Sequence, residues 1–232
     1  MRVLGLVPAR GGSKGIPRKN VRRLGAKTLL QYTADAALAA QRLGRVVLST
    51  DDEEIAALGR ELGLEVPYLR PPELATDVAP MLPVVRHALE WADATGDRWD
   101  ACCVLQPTAP FRRPGEVDAC VELLERSGAH AVVTVRQVPP EHNPHWTYFR
   151  DSDGFLQLST GEGEPVGRRQ DLPPAFHRDG SVYVTRREVV LEQNSLYGKW
   201  LVGYVVDGPK RVNLDDPADW ARAERQLGKG VR

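Results

Sequence analysis

The chain is short of cysteine, of surplus charge of either sign and of long apolar runs. Three cysteines, Cys102, Cys103 and Cys120, in 232 residues do not make a disulfide framework. Cys102 and Cys103 fall inside an apolar run and read as core residues. Lys+Arg number 31 and Asp+Glu 31, so the formal net charge is zero. That balance argues against a general nucleic-acid coat and against a polybasic membrane protein. It leaves room for a local basic site for a small polyanion. No apolar stretch approaches the about 18–20 residues of a membrane span. Met1 leads into a short apolar run without a signal-peptide cleavage pattern, which points to the cytoplasm. There is no repeat and no low-complexity tract.

What is present is alternation. Val3–Val7, Arg45–Ser49, Glu65–Leu69, Ala101–Leu105 and Ala131–Val135 read as short apolar strands. Helical faces separate them, marked by Leu29, Leu30, Ala36 and Ala37, then by Ile55, Ala56, Leu58 and Leu62. Leu82, Val85, Ala88 and Leu89 mark another, and Val117, Val121 and Leu124 a further one. Thr50 and Glu53 have capping-box spacing ahead of the second helix, and Pro114 can open the fourth. This order predicts a three-layer α/β fold, Rossmann-like, with a mostly parallel sheet and helices on both faces. Residues 1–232 read as one domain, with 137–176, richer in Pro, Gly and polar residues, as an inserted β arm. Ligands in such folds bind at the carboxyl ends of the strands.

The segment after the first strand is Pro8-Ala9-Arg10-Gly11-Gly12-Ser13-Lys14-Gly15-Ile16-Pro17-Arg18-Lys19-Asn20. Its glycines allow close backbone approach, and successive N–H groups can form an anion nest. Arg10, Lys14, Arg18 and Lys19 add positive charge, which suits a polyphosphate. The segment has neither the P-loop pattern nor the dinucleotide fingerprint. His142 and His145 have H-x-x-H spacing, but Pro144 intervenes and no second pair follows, so no zinc site is expected.

This segment resembles the N-terminal signature of the acylneuraminate cytidylyltransferases, the CMP-sialic acid synthetases. Further resemblances follow in order: Leu69-Arg70-Pro71-Pro72-Glu73-Leu74-Ala75-Thr76-Asp77, Leu105-Gln106-Pro107-Thr108-Ala109-Pro110-Phe111-Arg112, Arg169-Gln170-Asp171-Leu172-Pro173, Asp179-Gly180-Ser181-Val182-Tyr183 and Val212-Asn213-Leu214-Asp215-Asp216-Pro217-Ala218-Asp219. Together they span nearly the whole chain.

The resemblance implies cytidylyl transfer from CTP to an acidic nine-carbon sugar, with loss of pyrophosphate and help from Mg²⁺. It implies that Arg10, Lys14 and Lys19 hold the triphosphate, with Ala9, Gly11, Gly12, Ser13, Asn20 and Arg70 around the nucleotide. Gln106, Arg168 and Arg169 would contact the sugar acid, and Asp215 with Asn213 the metal. The family often carries a second Asp where this chain has Asn213. The resemblance implies that the arm is a dimerisation element that crosses to a partner subunit and completes its active site, so a homodimer is expected. The alternatives are an eight-carbon keto-deoxy acid or a phosphonate as acceptor, or a catalytically silent nucleotide-binding protein.

Overall fold

The computed structural model describes residues 1–13, 15–208 and 211–228. The strands are β1 (Val3–Pro8), β2 (Arg23–Leu24), β3 (Lys27–Thr28), β4 (Arg45–Ser49), β5 (Ala101–Val104), β6 (Ala131–Gln137), β7 (Tyr148–Arg150), β8 (Leu156–Leu158), β9 (Phe176–Arg186) and β10 (Leu201–Val205). The helices are α1 (Leu29–Leu38), α2 (Glu53–Glu61), α3 (Met81–Ala94), α4 (Glu116–Ser127), α5 (Arg187–Leu191) and α6 (Pro217–Gly228). Six strands form the central sheet in the order β10-β6-β9-β5-β1-β4. Every neighbouring pair in it is parallel except those made by β9, which runs antiparallel to both β5 and β6.

Alternation along β1 divides the core. Val3 and Val7 pack with Leu30, Ala34 and Ala37 of α1, Ile55 of α2 and Val121 and Leu124 of α4. Leu4 and Leu6 face the other way, onto Val85, Ala88, Leu89 and Ala92 of α3 and Val190 of α5. Cys103 joins the first face and Cys102 the second. All three cysteines are buried and unpaired, and burial pushes the Cys102 thiol up to about 12. A third cluster, with Ile16, Leu24, Leu29, Leu214 and Trp220, seats α6 beside β2 and β3.

Local detail departs from expectation in three places. Glu65–Leu69 is not a strand; it makes isolated bridges, Val47 with Glu65 and Thr50 with Leu69. The cap of α2 is Asp52, which accepts from Ile55 N at 3.0 Å, whereas Thr50 Oγ1 accepts from Asp52 N at 3.2 Å. Pro114 precedes α4, but Gly115 caps it in a left-handed conformation, φ 77°.

Strand β9 carries a bulge beside the ligand edge. Val133 pairs with Tyr183 and Val135 with Arg178, so residues 179–182 of β9 face little more than Thr134. Thr134 Oγ1 accepts from Val182 N at 3.1 Å there. Gly180 takes φ 88°, which an L side chain rarely adopts. In residues 137–176, β7 and β8 form an antiparallel hairpin.

Candidate active site

Two cavities open at the carboxyl edge of β1, β4 and β5. The first, of about 440 Å³, is lined by Arg10, Gly12, Ser13, Lys19, Asn20 and Arg70, among others. The second, of about 650 Å³, is lined by Arg136, His177, Arg178, Asp179, Tyr183 and Arg222, among others. Gln106, Asn213 and Asp215 line both. The two spaces therefore meet at these three side chains.

The loop after β1 is held in place by its own polar groups. Ala9 is buried and its N–H donates to Ser49 O at 3.0 Å. Gly11 N–H donates to Asp51 Oδ1 at 3.0 Å, and a Cβ on Gly11 would lie 2.5 Å from Asp52 Oδ2. Asn20 Nδ2 donates to Arg10 O at 2.9 Å, pinning the turn that aims Arg10. Arg18 leaves the cavity and pairs with Asp52 at 2.6 Å and with Glu54. Gly15 passes so close to the Asp215 carbonyl that a Cβ there would clash with it. Lys14 lies outside the described residues.

Arg10, Lys19 and Arg70 in the first cavity each have a protein partner. Lys19 Nζ donates to Leu214 O at 2.7 Å and stands 3.8 Å from Asp215 Oδ1. Burial lowers its pKa; Asp215 pulls the other way and Arg10 adds to the lowering. Arg10 Nη1 lies 2.9 Å from Asp77 Oδ1, so the carboxylate of the loop before α3 neutralises it. Arg70 is buried and lies against Ser49, with Nε donating to Ser49 Oγ at 3.0 Å; burial lowers its pKa. Ala79, Met81 and Val84 bring the start of α3 to the same cavity. Pro80 caps that helix without a side-chain hydrogen bond, which leaves first-turn N–H groups for a ligand.

Asn213 and Asp215 project into the cavity because their neighbours are anchored. Val212 and Leu214 are buried, and Leu214 N donates to Thr108 O at 2.8 Å. Arg211 donates to Glu116 Oε1 at 2.9 Å, Ser181 Oγ at 2.9 Å and Asp179 Oδ2 at 3.2 Å. Burial works against the Arg211 charge, but Glu116 and Asp179 outweigh it and raise its pKa. Asp219 N–H donates to Asp216 Oδ1 at 2.8 Å, as a helix start at Asp216-Pro217 requires. Among the described residues no group of three His, Cys, Asp or Glu side chains could hold a metal unaided. A hard divalent cation is commonly held by one or two carboxylates plus substrate phosphates. Asp215, with the Asn213 amide oxygen available on rotation, fits that donor set.

Arg168 and Arg169 belong to the arm. Arg168 is paired with Asp171 at 2.6 Å, and Arg169 lines a separate depression with Gln137, Val138 and Pro173. The fold does not bring either to the cavities of its own chain. Gln106 does reach them, and Arg112 holds it. Arg112 Nη2 donates to Gln106 O at 2.6 Å, Nε to Ser181 O at 2.8 Å and Nη1 to Thr33 Oγ1 at 3.1 Å. Burial lowers the Arg112 pKa to about 10. Sequence reasoning missed this support, although Arg112 closes the motif that contains Gln106. It also missed Arg136, whose only signal was its place after the apolar run Ala131–Val135.

Comparison with known proteins agrees with this geometry. A family model described as cytidylyltransferase matches residues 4–200. CMP-N,N'-diacetyllegionaminic acid synthase from Legionella pneumophila is 32% identical over 228 residues, 98% of this chain and 97% of that protein. N-acylneuraminate cytidylyltransferase from Escherichia coli is 29% identical over 226 residues, 96% of this chain and 51% of that longer protein. Among solved structures, a CMP:2-keto-3-deoxy-manno-octonic acid synthetase complexed with CTP superposes with a TM-score of 0.72 at 16% identity, covering 100% of both chains. That likeness speaks for the fold. With a basic, glycine-lined cavity at the strand ends and a family match over most of its length, this chain belongs to the cytidylyltransferases.

Proposed function

We propose that this enzyme transfers a cytidylyl group from CTP to a nine-carbon nonulosonic acid such as sialic or legionaminic acid. The observation that carries the reading is the pair of cavities meeting at Gln106, Asn213 and Asp215. The nonulosonic acid relatives, aligned over almost the whole chain, support the acceptor class.

In this reading the acceptor hydroxyl oxygen bonds to the α-phosphorus, and the bond from that phosphorus to the bridging oxygen breaks. Pyrophosphate leaves and the hydroxyl proton passes to solvent. Such a transfer needs positioning and charge neutralisation more than a covalent nucleophile. Arg10, Lys14 and Lys19 hold the triphosphate and stabilise the charge on the departing pyrophosphate. Ala9, Gly11, Gly12 and Ser13 shape the backbone around it. Asn20 sets the Arg10 turn, and Arg70 borders the base and ribose. Gln106 orients the acceptor. Asp215 and Asn213 would hold Mg²⁺, which would supply Lewis-acid charge withdrawal from the phosphoryl oxygens.

The enzyme works as a homodimer in this proposal. Phe149 and Phe155 of the arm are 69% and 74% exposed, an apolar surface that a second copy would cover. Arg168 and Arg169 would then reach the acceptor from the second copy. The buried, unpaired thiols suit the cytoplasm.

Pyrophosphate release is the test. The protein is mixed with CTP, Mg²⁺ and, in turn, sialic, legionaminic, pseudaminic and eight-carbon keto-deoxy acids and a phosphonate. Release with a nine-carbon acid is expected. Release with the eight-carbon acid or the phosphonate alone, or with none, overturns the reading.

A further inference from the structure

We infer that Arg136 receives the carboxylate of the acceptor, within the same chain that binds the nucleotide. The inference rests on the function proposed above and names the residue that makes an acid the preferred acceptor.

Arg136 is half-buried near the end of β6 and paired in register with His177 of β9. Its side chain lines the larger cavity, which it shares with Gln106, Asn213 and Asp215. Among the described residues it is the cavity's one arginine without an ion pair or hydrogen bond from its guanidinium. The other three are engaged. Arg211 is tied to Glu116 and Asp179. Arg178 donates to the Tyr197 hydroxyl and lies over its ring. Arg222 stands 3.8 Å from Asp219.

The carboxylates of the cavity are also engaged. Asp179 is held by Arg211, and Asp215 accepts from Asn213 at 2.7 Å. Asp219 accepts from the backbone of Asp215 and Asp216. None of them forms an ion pair with Arg136. A guanidinium presents five N–H donors in a planar fork that matches a carboxylate in two parallel hydrogen bonds. Partly buried and without a counter-charge, Arg136 loses hydration that only an incoming anion would replace. The β9 bulge matters here. It withdraws residues 179–182 from the ladder and lets pairing resume at Arg178 and His177, opposite Val135 and Arg136, and Arg136 lines the cavity. The arm's Arg169, arriving from a second copy, would meet a different part of the acceptor.

The experiment compares wild type, Arg136→Gln, Arg136→Lys and Arg169→Ala. The readouts are steady-state kinetics with sialic and legionaminic acids and with their methyl esters, and thermal melting as a control on folding. Arg136→Gln is expected to raise the KM for the acid about 30- to 100-fold, as loss of a charge-assisted pair would. The KM for CTP should stay unchanged, and wild type and Arg136→Gln should handle the ester equally. Arg136→Lys should recover part of the loss and serves in its place if Arg136→Gln does not fold. An acid KM within three-fold of wild type, an equal loss on the ester, or the same acid-selective loss in Arg169→Ala alone would overturn the assignment. Mixed dimers of Arg136→Gln with Lys19→Met subunits should regain no activity; recovery would place Arg136 in the neighbouring site. If wild type releases no pyrophosphate with any acid, the proposed function fails. Saturation-transfer NMR of the same acids then judges Arg136 separately. Binding to wild type but not to Arg136→Gln would uphold it; equal binding or none would overturn it.

Discussion

Asn213 donates its side-chain amide to Asp215 Oδ2 at 2.7 Å. The neutral amide therefore steadies the carboxylate that would hold the metal, where a second carboxylate would repel it. Asn213→Asp trades that hydrogen bond for an additional anionic ligand. The expected outcome is a half-saturating Mg²⁺ concentration lower by about ten-fold, with weaker protein stability in the absence of metal. Titrating pyrophosphate release against Mg²⁺, and thermal melts with and without the ion, check both. An unchanged Mg²⁺ requirement would move the metal away from this pair.

Lys19 links nucleotide binding to protons. In the free protein burial lowers its pKa, so the charge is lost at a pH below that of an ordinary lysine. A bound triphosphate favours the charged form, so the complex holds more protons than the free enzyme. Affinity for CTP must then fall as pH rises through the lowered pKa, by up to about ten-fold per pH unit. Calorimetric titration of CTP at alkaline pH in buffers of different ionisation enthalpy should show proton uptake. Lys19→Met should abolish it, together with most of the activity.

Gly15 is a spacing residue. A Cβ there would clash with the Asp215 carbonyl, so Gly15→Ala must push the phosphate loop and the 213–216 segment apart. Misplacement of this order costs about 100-fold in kcat/KM. The core clusters on the two sheet faces are untouched, so the melting temperature should move by only a few degrees. A variant with wild-type turnover would show that the two segments need not touch.

Glu116 and Arg211 side chains are 3% and 5% exposed. Glu116→Ala leaves a buried arginine with Asp179 as its remaining carboxylate. Loss of one partner from a buried pair costs about 3–5 kcal/mol. Urea denaturation should show a lower midpoint with an unchanged slope. The paired change Glu116→Leu with Arg211→Met should recover part of the stability but not activity, because the 211–215 segment loses its anchor.

The parallel half of the fold was legible because its strands are buried on both sides and read as near-continuous apolar runs, as Ala101–Leu105 does. The phosphate loop was legible because glycines and cations crowd directly after β1. The antiparallel course of β9 was hidden, since Ser181–Thr185 looks like any apolar strand and direction is set by its partners. The Arg211–Glu116–Asp179 cluster was equally hidden. Its members are 32 to 95 residues apart, and each alone looks like a solvated surface charge. Arg168 and Arg169 were read from the arm, which the resemblance implies crosses to a partner subunit, and the fold of one chain does not test that.

The reversed direction of β9 has a consequence for how the enzyme can change. Gln137 at the end of β6 pairs with Phe176 at the start of β9, so the chain leaves and re-enters the sheet at the catalytic rim. The intervening residues form a detachable annex with both doors on the same wall. Its length can vary at little thermodynamic cost, since loop closure entropy grows only slowly with length. Exchanging that annex between relatives offers a way to retune acceptor choice while the nucleotide machinery stays as it is.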